Sequence, residues 1–135
     1  MIQLPEKFLE TIRTQLDDEF DAFLESYSRP VLGGIRINRL KITPEEYLAL
    51  TGQSLESVPW NGDGFYCSEG TVYSKNPLYY AGLYYIQEPS AMLPAQMLPV
   101  EPGDIVLDMC AAPGGKSTAL GARMNNQGLL VSNDI

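Results

Sequence analysis

The nine residues Asp108-Met109-Cys110-Ala111-Ala112-Pro113-Gly114-Gly115-Lys116 constrain this chain more than any other stretch. They follow the apolar Ile105-Val106-Leu107 and lead into Ser117–Met124, whose composition suits a helix. A short strand ending in a carboxylate, a turn of small residues and then a helix presents backbone N–H groups and a helix N-terminus to a nucleotide-like ligand. Two other glycine loops do not fit. A phosphate-binding P-loop requires glycine five residues before Gly115, where Cys110 stands. A dinucleotide fingerprint needs three spaced glycines, whereas Gly114 and Gly115 are adjacent and follow a proline.

Downstream, Asn125–Gly128 reads as a turn and Leu129–Ser132 as a second strand, completing a βαβ unit. Asp134 follows that strand about 20 positions beyond the glycines, where such units place a carboxylate on ribose hydroxyls. A doubly wound sheet requires further strands, so the chain is expected to be an N-terminal piece of a larger α/β protein. Leu129–Ser132 would then be an exposed parallel edge.

The preceding residues suggest a small α+β region. Pro5 suits the first turn of a helix carrying Phe8, Leu9, Ile12 and Leu16, and Asp17 or Asp18 is expected to cap a second helix with Phe20, Phe23 and Leu24. Gly33-Gly34 reads as a turn, and Ile35-Arg36-Ile37-Asn38 alternates like a half-buried strand. Thr43, Pro44 and Glu46 form a capping-box pattern for a helix that stops at Gly52. Residues 58–77 read as loop around an extended Phe65-Tyr66-Cys67. Leu78–Gly82 reads as a helical turn, Leu83–Gln87 as extended, and Pro89 as the start of a helix reaching Met97. Tyr79, Tyr80, Tyr84 and Tyr85 suit either core packing or base stacking.

Composition narrows the chemistry. Cys67 and Cys110 are the only cysteines and histidine is absent, which argues against a four-ligand zinc site and against histidine general-base catalysis; no metal is expected. Neither a membrane-length apolar run nor a secretory leader is apparent, so a cytoplasmic protein without a membrane partner is expected. A net charge of −8 is unsuited to a general polyanion clamp, yet Arg29, Arg36, Arg39 and Lys41 fall close together after an acidic N-terminal stretch. This basic segment suits RNA contact or an ordinary solvated strand face equally.

Asp108–Lys116, together with Gly34-Ile35-Arg36-Ile37-Asn38, Leu40-Lys41 and Tyr85-Ile86-Gln87-Glu88-Pro89-Ser90, resembles the Sun/Fmu family of RNA cytosine-C5 methyltransferases, in particular bacterial ribosomal-RNA enzymes of the RsmF type. Many relatives have two consecutive serines where this chain has Ser90-Ala91. The resemblance implies an N-terminal RNA-associated α+β domain over residues 1–88 and the start of a Rossmann-like S-adenosylmethionine-dependent methyltransferase domain over 89–135. Cys110, Ala111, Ala112, Pro113, Gly114, Gly115 and Lys116 would wrap the methionine moiety, Asp134 would hold the ribose diol, and Asp108 would shape the pocket. Arg36, Asn38, Arg39 and Lys41 are the implied RNA-binding residues, with ribosomal RNA as the partner and tRNA as the alternative.

In this family a cysteine thiolate adds to C6 of a cytosine drawn out of its stack, which makes C5 nucleophilic toward the methyl group. The family's catalytic cysteines lie in later motifs, one of them after a proline, and neither Cys67 nor Cys110 has that context. No catalytic residue is therefore expected within this chain, which is expected to be inactive as it stands. Two other readings are a methyltransferase of a different substrate class and a non-enzymatic RNA- or protein-binding module.

Overall fold

The computed structural model describes residues 4–135; Met1–Gln3, part of the stretch read for a leader, lie outside it. The chain divides into a helical unit ending at Val31 and a second unit, Leu32–Ile135, which contains both sheets. The 88/89 boundary implied by the resemblance falls within the second unit.

In the first unit, α1 (Glu6–Leu16) begins after Pro5, and α2 (Phe20–Ser26) follows a 3₁₀ turn, Asp17–Glu19. The expected Asp17 or Asp18 cap does not form. Asp17 instead ends α1 with a positive φ of 46°, its N–H donating to the Arg13 carbonyl, and Glu19 precedes α2 without a side-chain cap. The Arg13 guanidinium carbon lies 4.5 Å from the centroid of the Phe20 ring.

The second unit opens with an antiparallel sheet in the order β2–β1–β3, formed by β2 (Gly64–Tyr66), β1 (Gly34–Ile37) and β3 (Tyr84–Ile86). Ile35 lies opposite Phe65 and Ile86, and Ile37 opposite Tyr84. Ile35, Ile37, Phe65 and Tyr84, with Tyr47 and Tyr73, make the larger core, in which Tyr84 meets Tyr47 and Tyr73 edge-on at 5.7 and 5.8 Å. Tyr47 enters from α3 (Pro44–Thr51). There the Thr43 hydroxyl accepts from the Glu46 N–H, Glu46 accepts from the Thr43 N–H, and Gly52 stops the helix at φ 64°, as the sequence predicts.

The half-buried expectation for β1 is corrected, because all four residues of the strand are buried. Ile35 and Ile37 face the tyrosine core, and the opposite face of Gly34 and Arg36 is covered as well. Gly34 belongs to the strand and not to a turn. A Cβ there would come within 2.7 Å of the Gln87 carbonyl oxygen and 2.9 Å of Met92 Cε.

α4 (Pro77–Tyr80) precedes β3, with the Asn76 side chain accepting from the Leu78 N–H. The expected helix from Pro89 is divided into a 3₁₀ turn, Ser90–Met92, and α5 (Leu93–Met97). Pro94 has no N–H to continue a helix from upstream and would crowd the carbonyl four residues back, so α5 starts afresh around it.

β4 (Ile105–Asp108) and β5 (Leu129–Ser132) pair in parallel, Asp108 opposite Ser132, and α6 (Gly115–Arg123) crosses between them. Ala119 and Leu120 of α6 pack with Ala95, Val106 and Leu130, whereas Ile105, Leu107, Leu129 and Val131 are exposed. Arg123 donates to the Ala95 and Leu98 carbonyls at 2.8 and 2.7 Å, placing its charge at the negative end of α5. No helix among the described residues is long and apolar enough to cross a membrane.

Candidate functional site

The loop between β4 and α6 is braced by its own side chains. Asp108 is buried at the end of β4, and both of its oxygens are used. One accepts from the Cys110 N–H at 3.1 Å, and the other accepts from the Ser117 hydroxyl at 2.5 Å. The Ser132 hydroxyl donates in turn to that of Ser117 at 3.0 Å. This chain ties the ends of both strands to the first turn of α6. Both Asp108 oxygens are thereby committed to bonds within the loop and to α6. Ser117 was not singled out from the sequence, although a hydroxyl nine residues after a strand-terminal aspartate was the available signal.

Apart from Gly115, which is buried, the rest of the loop lies open. Cys110, Ala112 and Pro113 are exposed, and Ala111, Gly114 and Lys116 are partly so. Gly114 adopts φ 109°, a conformation side-chain-bearing residues avoid, and a Cβ there would meet nothing nearer than the Tyr85 hydroxyl at 4.0 Å. α6 has no side-chain cap. Its first intrahelical bond runs from the Thr118 N–H to the Gly114 carbonyl, and the N–H groups of Gly115, Lys116 and Ser117 have no hydrogen-bond acceptor among the described residues. Three donors at the positive end of a helix suit an anionic or carbonyl-bearing ligand.

Asp134 comes to this loop from the end of β5, accepting from the Ala112 N–H at 2.8 Å while remaining exposed. The structure thus brings together Cys110, Ala111, Ala112, Pro113, Gly114, Gly115, Lys116 and Asp134. A cavity of about 250 Å³ beside the loop is lined in part by Met109, Cys110 and Lys116. A larger one, about 600 Å³, lies between the three-stranded sheet and α6, and none of residues 110–116 lines it.

The four residues assigned to RNA contact are placed differently from one another. Arg36 is buried, and its guanidinium donates to Gln87 Oε1, to the Gly115 carbonyl at 2.6 Å and to Thr118 Oγ1 at 2.7 Å, bordering the larger cavity. Burial lowers its pKa to about 10, which leaves it charged at neutral pH. Asn38 is half-buried and donates to the Gly82 carbonyl at 2.9 Å. Arg39 and Lys41 are exposed, Arg39 paired with Asp63 and Lys41 donating to the Ala81 carbonyl. Among the tyrosines, Tyr84 is core, Tyr80 is largely exposed, and Tyr85 donates to the Pro113 carbonyl at 3.0 Å.

The two cysteines differ in setting. Cys67 is half-buried beside the tyrosine core, and burial pushes its thiol pKa up, away from a thiolate. Cys110 is exposed in the loop.

Comparison with known proteins places this geometry. Residues 4–89 match the family model described as the N-terminal domain of 16S rRNA methyltransferase RsmF, and residues 95–135 match that of 16S rRNA methyltransferase RsmB/F. Ribosomal RNA small subunit methyltransferase F of Shewanella loihica is 40% identical over 99% of this chain, which spans about 30% of that relative's length. A solved methyltransferase homolog from Pyrococcus horikoshii is 36% identical, with a TM-score of 0.74, over 84% of this chain and 39% of its own. The structure of NSun6 from Pyrococcus horikoshii with SFG aligns at TM-score 0.80 over 95% of this chain and 58% of its own; at 16% identity it bears on the fold alone. The chain belongs to the RsmF family of 16S rRNA methyltransferases.

Proposed function

We propose that this chain supplies the S-adenosylmethionine seat of a cytoplasmic enzyme that methylates C5 of cytosine in 16S ribosomal RNA. Family membership supports the rRNA methyltransferase part, and methyltransferases of this family depend on S-adenosylmethionine. The observation that carries the cofactor assignment is the braced loop itself, with its three unpartnered first-turn amides and Asp134 across from Ala112. Gly115, Lys116 and Ser117 would offer N–H groups to the methionine end, Asp134 would accept from the ribose hydroxyls, and Asp108 would keep the loop in register through Ser117. Bound there, S-adenosylmethionine supplies a methyl group activated by its sulfonium. Residues 1–88 would serve as the RNA-associated domain and 89–135 as the start of the methyltransferase domain. Arg39 and Lys41 are the basic residues with faces free to approach RNA.

Adding to C6 of cytosine requires a thiolate, and neither cysteine is suited to it. Cys67 is held protonated beside a core, and Cys110 is part of the cofactor loop. The chain is therefore expected to retain radiolabelled S-adenosylmethionine in equilibrium dialysis and to transfer no label to 16S rRNA. Absence of binding would overturn the cofactor assignment, and label in the RNA would overturn the assignment of the cysteines.

A further inference from the structure

The structure assigns Arg36 a role in positioning the S-adenosylmethionine loop: from the neighbouring sheet, it holds the first turn of α6 in the conformation that leaves its amides open. This inference rests on the cofactor reading above. Arg36 lies 79 residues before Gly115 in sequence, yet one guanidinium nitrogen donates to the Gly115 carbonyl and the other to Thr118 Oγ1. That hydroxyl itself donates to the Gly114 carbonyl at 2.7 Å. The guanidinium fork therefore grips two successive levels of the turn whose N–H groups face the ligand.

Two further residues complete the clamp. Gln87 accepts from Arg36 and donates to the Ala91 carbonyl, and its Nε2 lies 2.9 Å from where a Gly115 Cβ would sit, so the helix start is pressed against it. The Tyr85 ring lies 5.5 Å from the Arg36 guanidinium carbon, and its hydroxyl donates to the Pro113 carbonyl. Arg36, Tyr85 and Gln87 come from two adjacent strands and their continuation, with Arg36 directly opposite Tyr85. Three side chains from one sheet thus reach the Pro113, Gly115 and Thr118 positions of the loop and its helix.

A buried cation is costly to place, and no carboxylate pairs with this one among the described residues. Carbonyl and hydroxyl acceptors hold it instead, and a planar five-donor fork suits that task where an ammonium does not. The motif that reads as an RNA-contacting segment is, at this position, an internal strut.

The test compares wild type with Arg36→Met, Arg36→Lys and the milder Tyr85→Phe. Amide hydrogen exchange without cofactor is followed at Gly114 and Thr118, the two loop amides that donate to backbone carbonyls, and, as a control for folding, at the core strand 35–37. Dissociation constants for S-adenosylmethionine are measured by titration calorimetry. Arg36→Met is expected to raise loop exchange at least tenfold while core exchange holds, and to weaken cofactor binding about tenfold; lysine is expected not to rescue either. Tyr85→Phe should weaken binding by a few fold with an unchanged core. If Arg36→Met unfolds the core, Tyr85→Phe decides. Loop exchange and affinity equal to wild type in a folded variant would overturn the inference. Failure of the wild type itself to bind would sink the cofactor reading, while loop exchange would still report on the strut.

Discussion

Tyr47 shows how a single residue can be well packed and still carry a cost. Its ring is fully buried against Tyr84, but its hydroxyl has no hydrogen-bond partner among the described residues. Desolvation, followed by the neighbouring Tyr84, Tyr73 and Cys67, drives its pKa well above the usual tyrosine range. Removing an unsatisfied buried hydroxyl is worth about 1 kcal/mol, so Tyr47→Phe is expected to raise the midpoint of urea unfolding. The pH dependence has a definite sign. A folded-state pKa raised above the unfolded value contributes stability below about pH 10 that is lost as pH rises further, because the unfolded chain ionises first. Tyr84 acts in the same sense, whereas Arg36, lowered to about 10, opposes it. Stability measured from pH 8 to 11 should therefore fall less steeply in Tyr47→Phe than in wild type; an identical profile would count against this account.

Among the elements, β1 is the one on which both faces of the structure depend. Its odd residues form the tyrosine core, and its even residues meet the 87–92 segment and α6. Gly34→Ala would drive a methyl group toward the Gln87 carbonyl, whose own N–H donates to the Gly34 carbonyl at 2.9 Å. The expected loss is about 2 to 3 kcal/mol in urea unfolding, since neighbouring backbone yields poorly to overpacking. A variant as stable as wild type would show that the close contact is not maintained. Local signals made some elements legible from sequence: the α3 capping box, the Gly52 stop and the β4–α6 turn are each written in adjacent residues. The double burial of β1 was not, because an Ile-Arg-Ile alternation looks solvated until a helix some eighty residues later covers its polar face. The expected Asp17 or Asp18 cap failed for a local reason: Asp17 ends α1, and both residues fall in the 3₁₀ turn ahead of α2.

At the scale of the molecule, the chain combines an N-terminal sheet with the first parallel strand pair of a methyltransferase fold, and it spans about 30% of the relative's length. The β4–α6 loop and the position of Asp134 beside it were legible because a strand, a glycine turn and a carboxylate keep fixed spacing along the sequence. What spacing cannot express is the bracing from a distance: Ser117 and Ser132 on Asp108, and Arg36, Tyr85 and Gln87 against the loop. Residues 108–117 and Asp134 are the proposed seat for S-adenosylmethionine. Titrating S-adenosylmethionine into ¹⁵N-labelled protein tests this assignment most directly. The largest amide shifts are expected at Gly115, Lys116 and Ser117, with smaller ones at Ala112 and Asp134. Shifts confined to the sheet side of the larger cavity, at residues 36–38 and 82–85, or none at saturating ligand, would contradict it.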